Sequence, residues 1–178
     1  LEINIIAEKL AKDKFGRESM EYGNACFNHG RTLHFKSDFL GAERYYLESK
    51  EIREKVVGTQ NLDYAINLNN LANLYKEIGQ YDKAEMFFLE SIQIKKKILG
   101  IEHSDYASSL NNIGLLYFAR GNLEKAGEYA LEAKAIFKKA NGQNDINFLG
   151  ATINLANVYY LMYNYEKAEF LYLEVIKI

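Results

Sequence analysis

Apolar side chains recur at helical spacing along most of the chain, and the stretch LNNLANLYKEIGQYDKA at residues 68–84 shows the pattern clearly. Leucines and a tyrosine return there every three or four residues, which is typical of one buried helix face. The pattern predicts a helix over residues 64–78, a break at Gly79, where glycine ends helices readily, and a second helix over residues 81–99. Asparagine is a poor residue for a helix interior, so the three asparagines of this stretch call for an explanation.

The rest of the chain supports the same secondary structure. Alternation of β-branched and polar residues is scarce, and there is no proline in 178 residues. Fourteen tyrosines and ten phenylalanines provide the bulk of the core-forming aromatic residues. We therefore predict an all-α chain with short turns.

Five kinds of residue recur at intervals of 42 residues without a gap, which identifies an internal repeat. Chance does not align five columns over four copies, and each copy contains two helices, helix A and helix B. The columns are Gly16, Gly58, Gly100 and Gly142; Asn28, Asn70, Asn112 and Asn154; Ala42, Ala84, Ala126 and Ala168; Leu47, Leu89, Leu131 and Leu173; and Ile52, Ile94, Ile136 and Ile178.

The helix ends and crossings are also predicted from residue type. Asp63 is expected to cap helix A of the second copy, and Ser104 or Asp105 that of the third. The fourth copy has Tyr163-Asn164 in place of the inter-helix glycine, and Asn164 is expected to tolerate the positive φ of the turn. The alanine column and a second set of small residues are expected where two helices approach closely. The second set is Gly30, Ala72, Gly114 and Ala156.

These small and large positions resemble the pattern of the tetratricopeptide repeat (TPR) family, and the repeat is similar to the longer kinesin-light-chain type. The resemblance covers residues 22–178, although the family's proline after helix B is missing from every copy. It rests on Leu71, Ala72, Tyr75, Gly79, Tyr81, Ala84, Phe88 and Ser91.

The resemblance implies a right-handed α-solenoid of antiparallel helix hairpins, a TPR superhelix. We expect a single array over residues 1–178 and more repeats outside this chain, or self-association through its uncapped ends. The expected boundaries are residues 1–21 for the tail of a preceding helix B, 22–63 for repeat 1, 64–105 for repeat 2, 106–147 for repeat 3 and 148–178 for a truncated repeat 4.

The resemblance also implies a protein-interaction module that binds a peptide segment of a partner in a concave groove lined by helices A. Amides offer both a donor and an acceptor to a peptide backbone, and Phe27, Phe35, Phe118 and Tyr160 are expected to form side-chain pockets. His34 and Glu77 are further groove positions. The expected binding residues are Asn28, Arg31, Asn69, Asn70, Asn73, Asn111, Asn112, Phe118, Asn154 and Asn157.

Two other interpretations stay open. The asparagine column could bond to neighbouring repeats and set the superhelical pitch, in which case the array is a spacer or a self-assembly arm. The array could also be a regulatory arm of a larger protein with a catalytic domain, for example a caspase-like one, outside this chain.

No group within the chain indicates catalysis, so we do not expect an enzyme, a cofactor or a metal site. Cys26 aligns with core leucines and His29 with core apolar positions, which favours packed side chains over a nucleophile or a metal ligand. Glu48 and its equivalents at intervals of 42 lie on helix B, where we expect outer-face or inter-repeat contacts and not paired catalytic carboxylates. Arg31 could favour an acidic partner.

Charge and composition exclude some classes of binding partner. The net charge is −2, which does not favour nucleic acid or an acidic membrane surface. No apolar run reaches transmembrane length. The single cysteine fits a reducing compartment, and we expect a cytoplasmic protein that binds other proteins or peptides.

Overall fold

The computed structural model of the protein describes residues 2–177, and these residues form nine α-helices and no strand. Leu1 and Ile178, the last member of the isoleucine column, lie outside the described residues. The predicted all-α class is confirmed. The helices are α1 (Glu2–Phe15), α2 (Met20–Phe35), α3 (Phe39–Val57), α4 (Leu62–Glu77), α5 (Tyr81–Leu99), α6 (Ser104–Ala119), α7 (Leu123–Asn141), α8 (Ile146–Leu161) and α9 (Tyr165–Ile176).

The chain divides into two compact units, which we call the N-terminal unit (residues up to 94) and the C-terminal unit (residues from 95). The N-terminal unit contains α1 to α4 and most of α5. The C-terminal unit contains the end of α5 and α6 to α9. The boundaries of the four repeats stay a prediction.

Antiparallel helix pairs build both units, and a repeated hydrogen bond joins the two helices of a pair. The Tyr22 hydroxyl donates to Glu48 over 2.8 Å, and its equivalent Tyr64 donates to Glu90 over 3.3 Å. A buried serine adds a second bond, since Ser49 Oγ donates to the carbonyl of Gly23 over 2.8 Å. Glu48 and Glu90 therefore each join the two helices of one pair, and do not make the outer-face or inter-repeat contacts that we expected.

The C-terminal unit keeps this bond in one pair and replaces it in the other. Tyr106 donates to Glu132 over 3.4 Å. In the next pair the tyrosine position holds Phe148, which has no hydroxyl, and Glu174 instead accepts from Lys134 over 2.6 Å. The glutamate thus keeps a partner when the tyrosine is lost.

Small residues lie where the paired helices cross, as predicted. The four alanines of the column are buried. At Gly30 a Cβ atom would stand 2.9 Å from Tyr46 Cδ1 and 3.3 Å from Tyr45 Cβ, closer than van der Waals contact allows. Glycine at position 30 therefore lets α3 approach α2.

A buried cation joins helix B to the start of the next helix A in each unit. Arg53 donates to the carbonyl of Asp63 over 2.6 Å and to Asn24 Oδ1 over 2.8 Å. Its equivalent Lys95 reaches Ser109 Oγ at 2.8 Å. Burial lowers the pKa of both cations, so these polar contacts offset part of the cost of desolvation.

The turns and caps differ from the predictions in three places. Asn61 caps α4 instead of Asp63, and His103 caps α6 instead of Ser104 or Asp105. Both helices therefore begin earlier in the sequence than the predicted caps imply. In the last turn, Tyr163 and not Asn164 takes the positive φ, at 61°.

The reason for the third difference is the cap of α9. Asn164 has φ −90° and accepts the backbone N–H of Lys167 with its side chain. Because this amide is needed outside the helix at the N-cap position, the left-handed position falls one residue earlier. The first pair shows the same feature, with Ser37 at φ 60° where later repeats have glycine.

Candidate functional site

An open groove of about 850 Å³ lies in the N-terminal unit, and we call it the N-terminal groove. Helices α1, α2, α3 and α4 all contribute to its walls. Its lining residues are Asn4, Asn28, Arg31, Thr32, His34, Phe35, Ser37, Tyr46, Asn70 and Glu77.

Three of the expected binding residues have polar groups that face this groove, and the further groove positions His34 and Glu77 also line it. Asn28 and Arg31 are exposed on α2. Asn70 on α4 donates one N–H to the carbonyl of Ile66 in its own helix over 2.9 Å. Its side-chain carbonyl oxygen and second N–H therefore stay available to a ligand.

The groove also has one apolar and one cationic feature. Phe35 is 92 % exposed, which is unusual for a phenylalanine that could pack. The Arg31 guanidinium lies over the ring of Phe27, 5.9 Å from its centroid. Phe27 itself is 8 % exposed, so it supports the wall and does not form the open pocket that we expected.

A contact between a histidine and a glutamate at the groove links α2 to α4. His34 Nε2 lies 3.0 Å from the Glu77 carboxylate, and His34 Nδ1 lies 3.5 Å from the Tyr46 hydroxyl. The imidazole thereby spans two helices at one edge of the groove. Since Glu77 already has this partner, Arg31 is the cation of the lining that forms no ion pair within residues 2–177.

Helix α1 contributes a wall that the sequence did not predict. Asn4 Nδ2 donates to Thr32 Oγ1 over 2.6 Å and approaches the Asn28 carbonyl at 3.5 Å. The Thr32 hydroxyl in turn donates to that same carbonyl over 3.1 Å. This network fixes the backbone beside the Asn28 side chain.

The predicted residues of the C-terminal unit lie together but enclose little space. Asn111, Phe118, Asn154 and Asn157 surround a cavity of about 30 Å³, which is about the volume of one water molecule. Asn154 Nδ2 donates to Asn111 Oδ1 over 3.0 Å. Asn157 Oδ1 accepts from the Tyr172 hydroxyl over 2.6 Å.

The remaining predicted residues are half-buried, and none of them lines the N-terminal groove. Asn73 donates to the carbonyl of Asn69 over 3.1 Å and accepts from Lys76 Nζ over 3.3 Å, so its amide is used within α4. Asn69 and Asn112 are half-buried on their helices.

A fully buried asparagine that the sequence analysis missed makes a contact between helix pairs. Asn67 Nδ2 donates to the carbonyl of Tyr46 on α3 over 2.9 Å. Its equivalents in the other repeats are Ala25, Ser109 and Ala151. Because only one repeat has asparagine here, the 42-residue periodicity gave no signal for this position.

Cys26 and His29 are packed side chains, as predicted. Cys26 is fully buried, and this burial raises the pKa of its thiol to about 12, which keeps it protonated and unreactive. His29 stacks on Tyr45, with centroids 4.1 Å apart, and its Nδ1 lies 3.1 Å from the Glu8 carboxylate. These contacts hold α1 against the first pair.

Residues 2–177 form neither a metal-ligand cluster nor a membrane-spanning helix. No three histidine, cysteine, aspartate or glutamate side chains there come together as metal ligands would. None of the helices within that range combines the length and the apolar character that crossing a membrane requires.

Antiparallel helix pairs with small residues at their crossings define an α-helical repeat protein. The family model for the tetratricopeptide repeat matches residues 22–97 and 98–178. The chain therefore belongs to the tetratricopeptide repeat family, as the resemblance implied. TPR repeats generally mediate protein–protein interaction.

Solved structures with the same fold include kinesin-light-chain-like proteins. BtubC (BKLC) from P. vanneervenii superposes with a TM-score of 0.82 at 22 % identity, over 88 % of this chain and 63 % of that one. A kinesin-light-chain-like protein with nearly identical TPR-like repeats from Podosopora anserina gives 0.83 at 19 %, over 99 % and 83 %.

The apo form of RapI is a third neighbour, with a TM-score of 0.78 at 20 % identity over 98 % of this chain. This chain spans 63 % of the length of BtubC and 46 % of that of RapI. At these identities the likeness concerns the fold. No curated protein matches the chain.

Proposed function

We propose that the chain is a protein-interaction module that holds a peptide segment of a partner protein in the N-terminal groove. The observation that carries this proposal is the groove itself. It is open, it has the volume of a ligand-binding cleft, and two amides of the asparagine column face it together with Arg31.

The amides suit a peptide backbone because each can donate and accept at once. Asn28 is exposed, and Asn70 keeps an acceptor and a donor beyond its bond to Ile66. Their partners in the backbone would be the N–H and C=O groups of an extended segment. Binding of this kind depends little on the side chains of the peptide.

Selectivity would come from the other groups of the lining. Phe35 offers an exposed aromatic face to an apolar side chain. Arg31 forms no ion pair within residues 2–177, so a carboxylate in the peptide fits there. Both groups lie on α2, one helical turn apart, and so would read neighbouring peptide residues.

A peptide-display selection tests the proposal. Selection on the parent protein is repeated with the double variant Asn28→Ala, Asn70→Ala. Asn73→Ala is the matched control, because it removes an amide from the same helix as Asn70 but outside the groove. Circular dichroism establishes that each variant is folded.

We expect peptides selected on the parent to bind the Asn73→Ala protein with similar affinity and the folded double variant at least tenfold more weakly. Two lost hydrogen bonds of about 0.5–1.5 kcal/mol each give that order of magnitude. Enrichment of no peptide, or equal binding by the double variant, would refute the proposal.

One observation favours the spacer interpretation for the C-terminal unit. Asn154 bonds to Asn111 on the neighbouring helix A, which is the kind of contact that would set the pitch between repeats. We propose that this part of the asparagine column is structural. A role as a self-assembly arm, or as the regulatory arm of a longer protein, stays a prediction. Sedimentation of the isolated chain is the first measurement, because it detects self-assembly.

A further inference from the structure

Three tyrosines form an exposed group at the turn between α8 and α9, and we call Tyr160, Tyr163 and Tyr165 the aromatic cluster. Their exposed fractions are 54 %, 80 % and 55 %. A hollow of about 440 Å³ lies beside them, lined by Met162, Tyr163, Asn164, Tyr165 and Glu166. None of these residues belongs to the N-terminal groove.

The backbone at Tyr163 is strained in a way that packing does not explain. Its φ is 61°, in the left-handed region that disfavours side chains. The equivalent residues Gly79 and Gly121 make the same turn without that cost. Since the Tyr163 ring is mostly exposed, it gains little from burial in return, and strain without a packing benefit points to a function.

The rings of the cluster meet at steep angles. Tyr163 and Tyr165 are edge to face, with centroids 6.3 Å apart and an interplanar angle of 89°. Tyr160 also contacts Tyr165, with centroids 5.5 Å apart and an interplanar angle of 62°. Two perpendicular aromatic walls leave a corner in which both ring faces can contact one group.

The charge beside this corner is negative. Glu166 lines the same hollow, and within residues 2–177 it forms no ion pair. Aromatic ring faces attract cations, and an unpaired carboxylate adds to that attraction. Lys167, the nearest lysine in sequence, lies over the ring of Tyr159 at 5.1 Å and so contacts a tyrosine outside the cluster.

We infer that the aromatic cluster is a binding site for a cationic side chain, an arginine or a lysine of a partner protein. The aromatic walls receive the cation and Glu166 neutralises it. The N-terminus of α9 lies nearby, and the C-terminus of α8, which ends at Leu161 just before α9 begins at Tyr165, opposes its positive end. This site is separate from the proposed peptide groove and can fail or hold independently of it.

NMR titration with short peptides tests the site. The protein carries isotope-labelled tyrosine rings and is titrated at low salt with acetyl-Gly-Arg-Gly-amide. The same peptide with citrulline, which is neutral and of nearly the same shape, is the control ligand. The variants are Tyr163→Gly, which installs the residue that Gly79 and Gly121 show to be compatible with the turn, and Glu166→Gln. Glu124→Gln makes the same change as Glu166→Gln at the equivalent position in the first turn of α7, outside the cluster and the groove, and is the control variant.

We expect the arginine peptide to shift the ring signals of the three tyrosines saturably, with millimolar affinity, and the citrulline peptide to bind about fivefold or more weakly. Tyr163→Gly and Glu166→Gln should each weaken binding of the arginine peptide, and Glu124→Gln should leave it unchanged. Absence of saturable shifts, equal binding of the citrulline peptide, or parental affinity in Tyr163→Gly or Glu166→Gln would overturn the assignment.

Discussion

Two glycines inside helices A give a sharp test of how closely the paired helices approach. A Cβ at Gly150, on α8, would meet no atom within 4 Å. A Cβ at Gly30, on α2, would lie 2.9 Å from Cδ1 and 3.1 Å from Cε1 of Tyr46. The substitutions Gly150→Ala and Gly30→Ala thus change the same helix propensity in two different surroundings.

The expected magnitudes have opposite signs. Alanine is favoured over glycine in a helix interior by about 1 kcal/mol, and Gly150→Ala should stabilise the protein by about that amount. At Gly30 the same gain is offset by overpacking, which costs about 1–3 kcal/mol. The Tyr46 ring is 1 % exposed and cannot move into solvent without losing its packing, so Gly30→Ala should destabilise the protein by up to about 2 kcal/mol.

Urea unfolding followed by circular dichroism measures both changes. Gly114→Ala is an intermediate case, because its Cβ would lie 3.3 Å from Tyr129 Cβ, and it should fall between the other two. If Gly30→Ala stabilised the protein as much as Gly150→Ala, the inference that α2 and α3 approach closely at Gly30 would be refuted. Tyr46 also lines the N-terminal groove, so a displaced ring should change peptide binding as well.

Alkaline pH should destabilise the protein, because burial raises the pKa of Cys26 and of Tyr46 to about 12. A group whose pKa is raised in the folded state stabilises the protein fully at pH values below its pKa in the unfolded state, about 8.5 for Cys and 10 for Tyr. This stabilisation is lost as the pH rises through the pKa of the folded state. The Tm should therefore fall between about pH 9 and 12, and Cys26→Ala should flatten the start of that decline; an unchanged profile in this variant would contradict the assignment. Tyr163→Gly should raise stability by up to about 1.5 kcal/mol, since relief of about 1–2 kcal/mol of strain exceeds the entropy cost of glycine in the unfolded chain. Gly121→Ala, the reverse change in the preceding pair, should lower stability in the same urea assay, and a Tyr163→Gly protein less stable than the parent would show that the ring contributes to the fold.

The helix pairs could be predicted from the sequence because backbone geometry restricts their key positions to few residue types. The column that begins at Gly16 ends each helix B at a positive φ, between 77° and 88°. The alanine column lies at the helix crossings, where only a small side chain fits. Residue identity at such positions is a direct record of local geometry.

The exact residue that caps each helix could not be predicted, because several neighbouring polar side chains can accept a free N–H at the helix start. His103, Ser104 and Asp105 follow one another at the start of α6, and any of them has an acceptor for a free N–H. His103 takes the role, with its Nδ1 accepting the N–H of Asp105 over 3.0 Å. The choice depends on the path of the loop, which residue type alone does not specify.

Part of the lining of the N-terminal groove could be predicted from the sequence, and the lining residues that were not predicted have a common origin. Asn28, Arg31 and Asn70 line it, and they come from helices A as the resemblance implied. Asn4 comes from α1 and Tyr46 from α3, which are helices B. Which side chains of a neighbouring helix extend into a groove depends on how the helices pack. The sequence pattern of a single repeat does not contain that information.

The asparagine column shows how one repeated residue takes two roles. Asn154 and Asn70 occupy the same position, yet Asn154 donates to Asn111 while Asn70 donates to its own helix. The position equivalent to Asn111 for the earlier pair is residue 27, and Phe27 has no acceptor to offer. With no amide at that position of the preceding helix A, Asn70 bonds back to Ile66 and keeps its remaining polar atoms at the open groove. For these two asparagines, the residue 43 positions earlier distinguishes the one that joins two repeats from the one that stays available to a ligand.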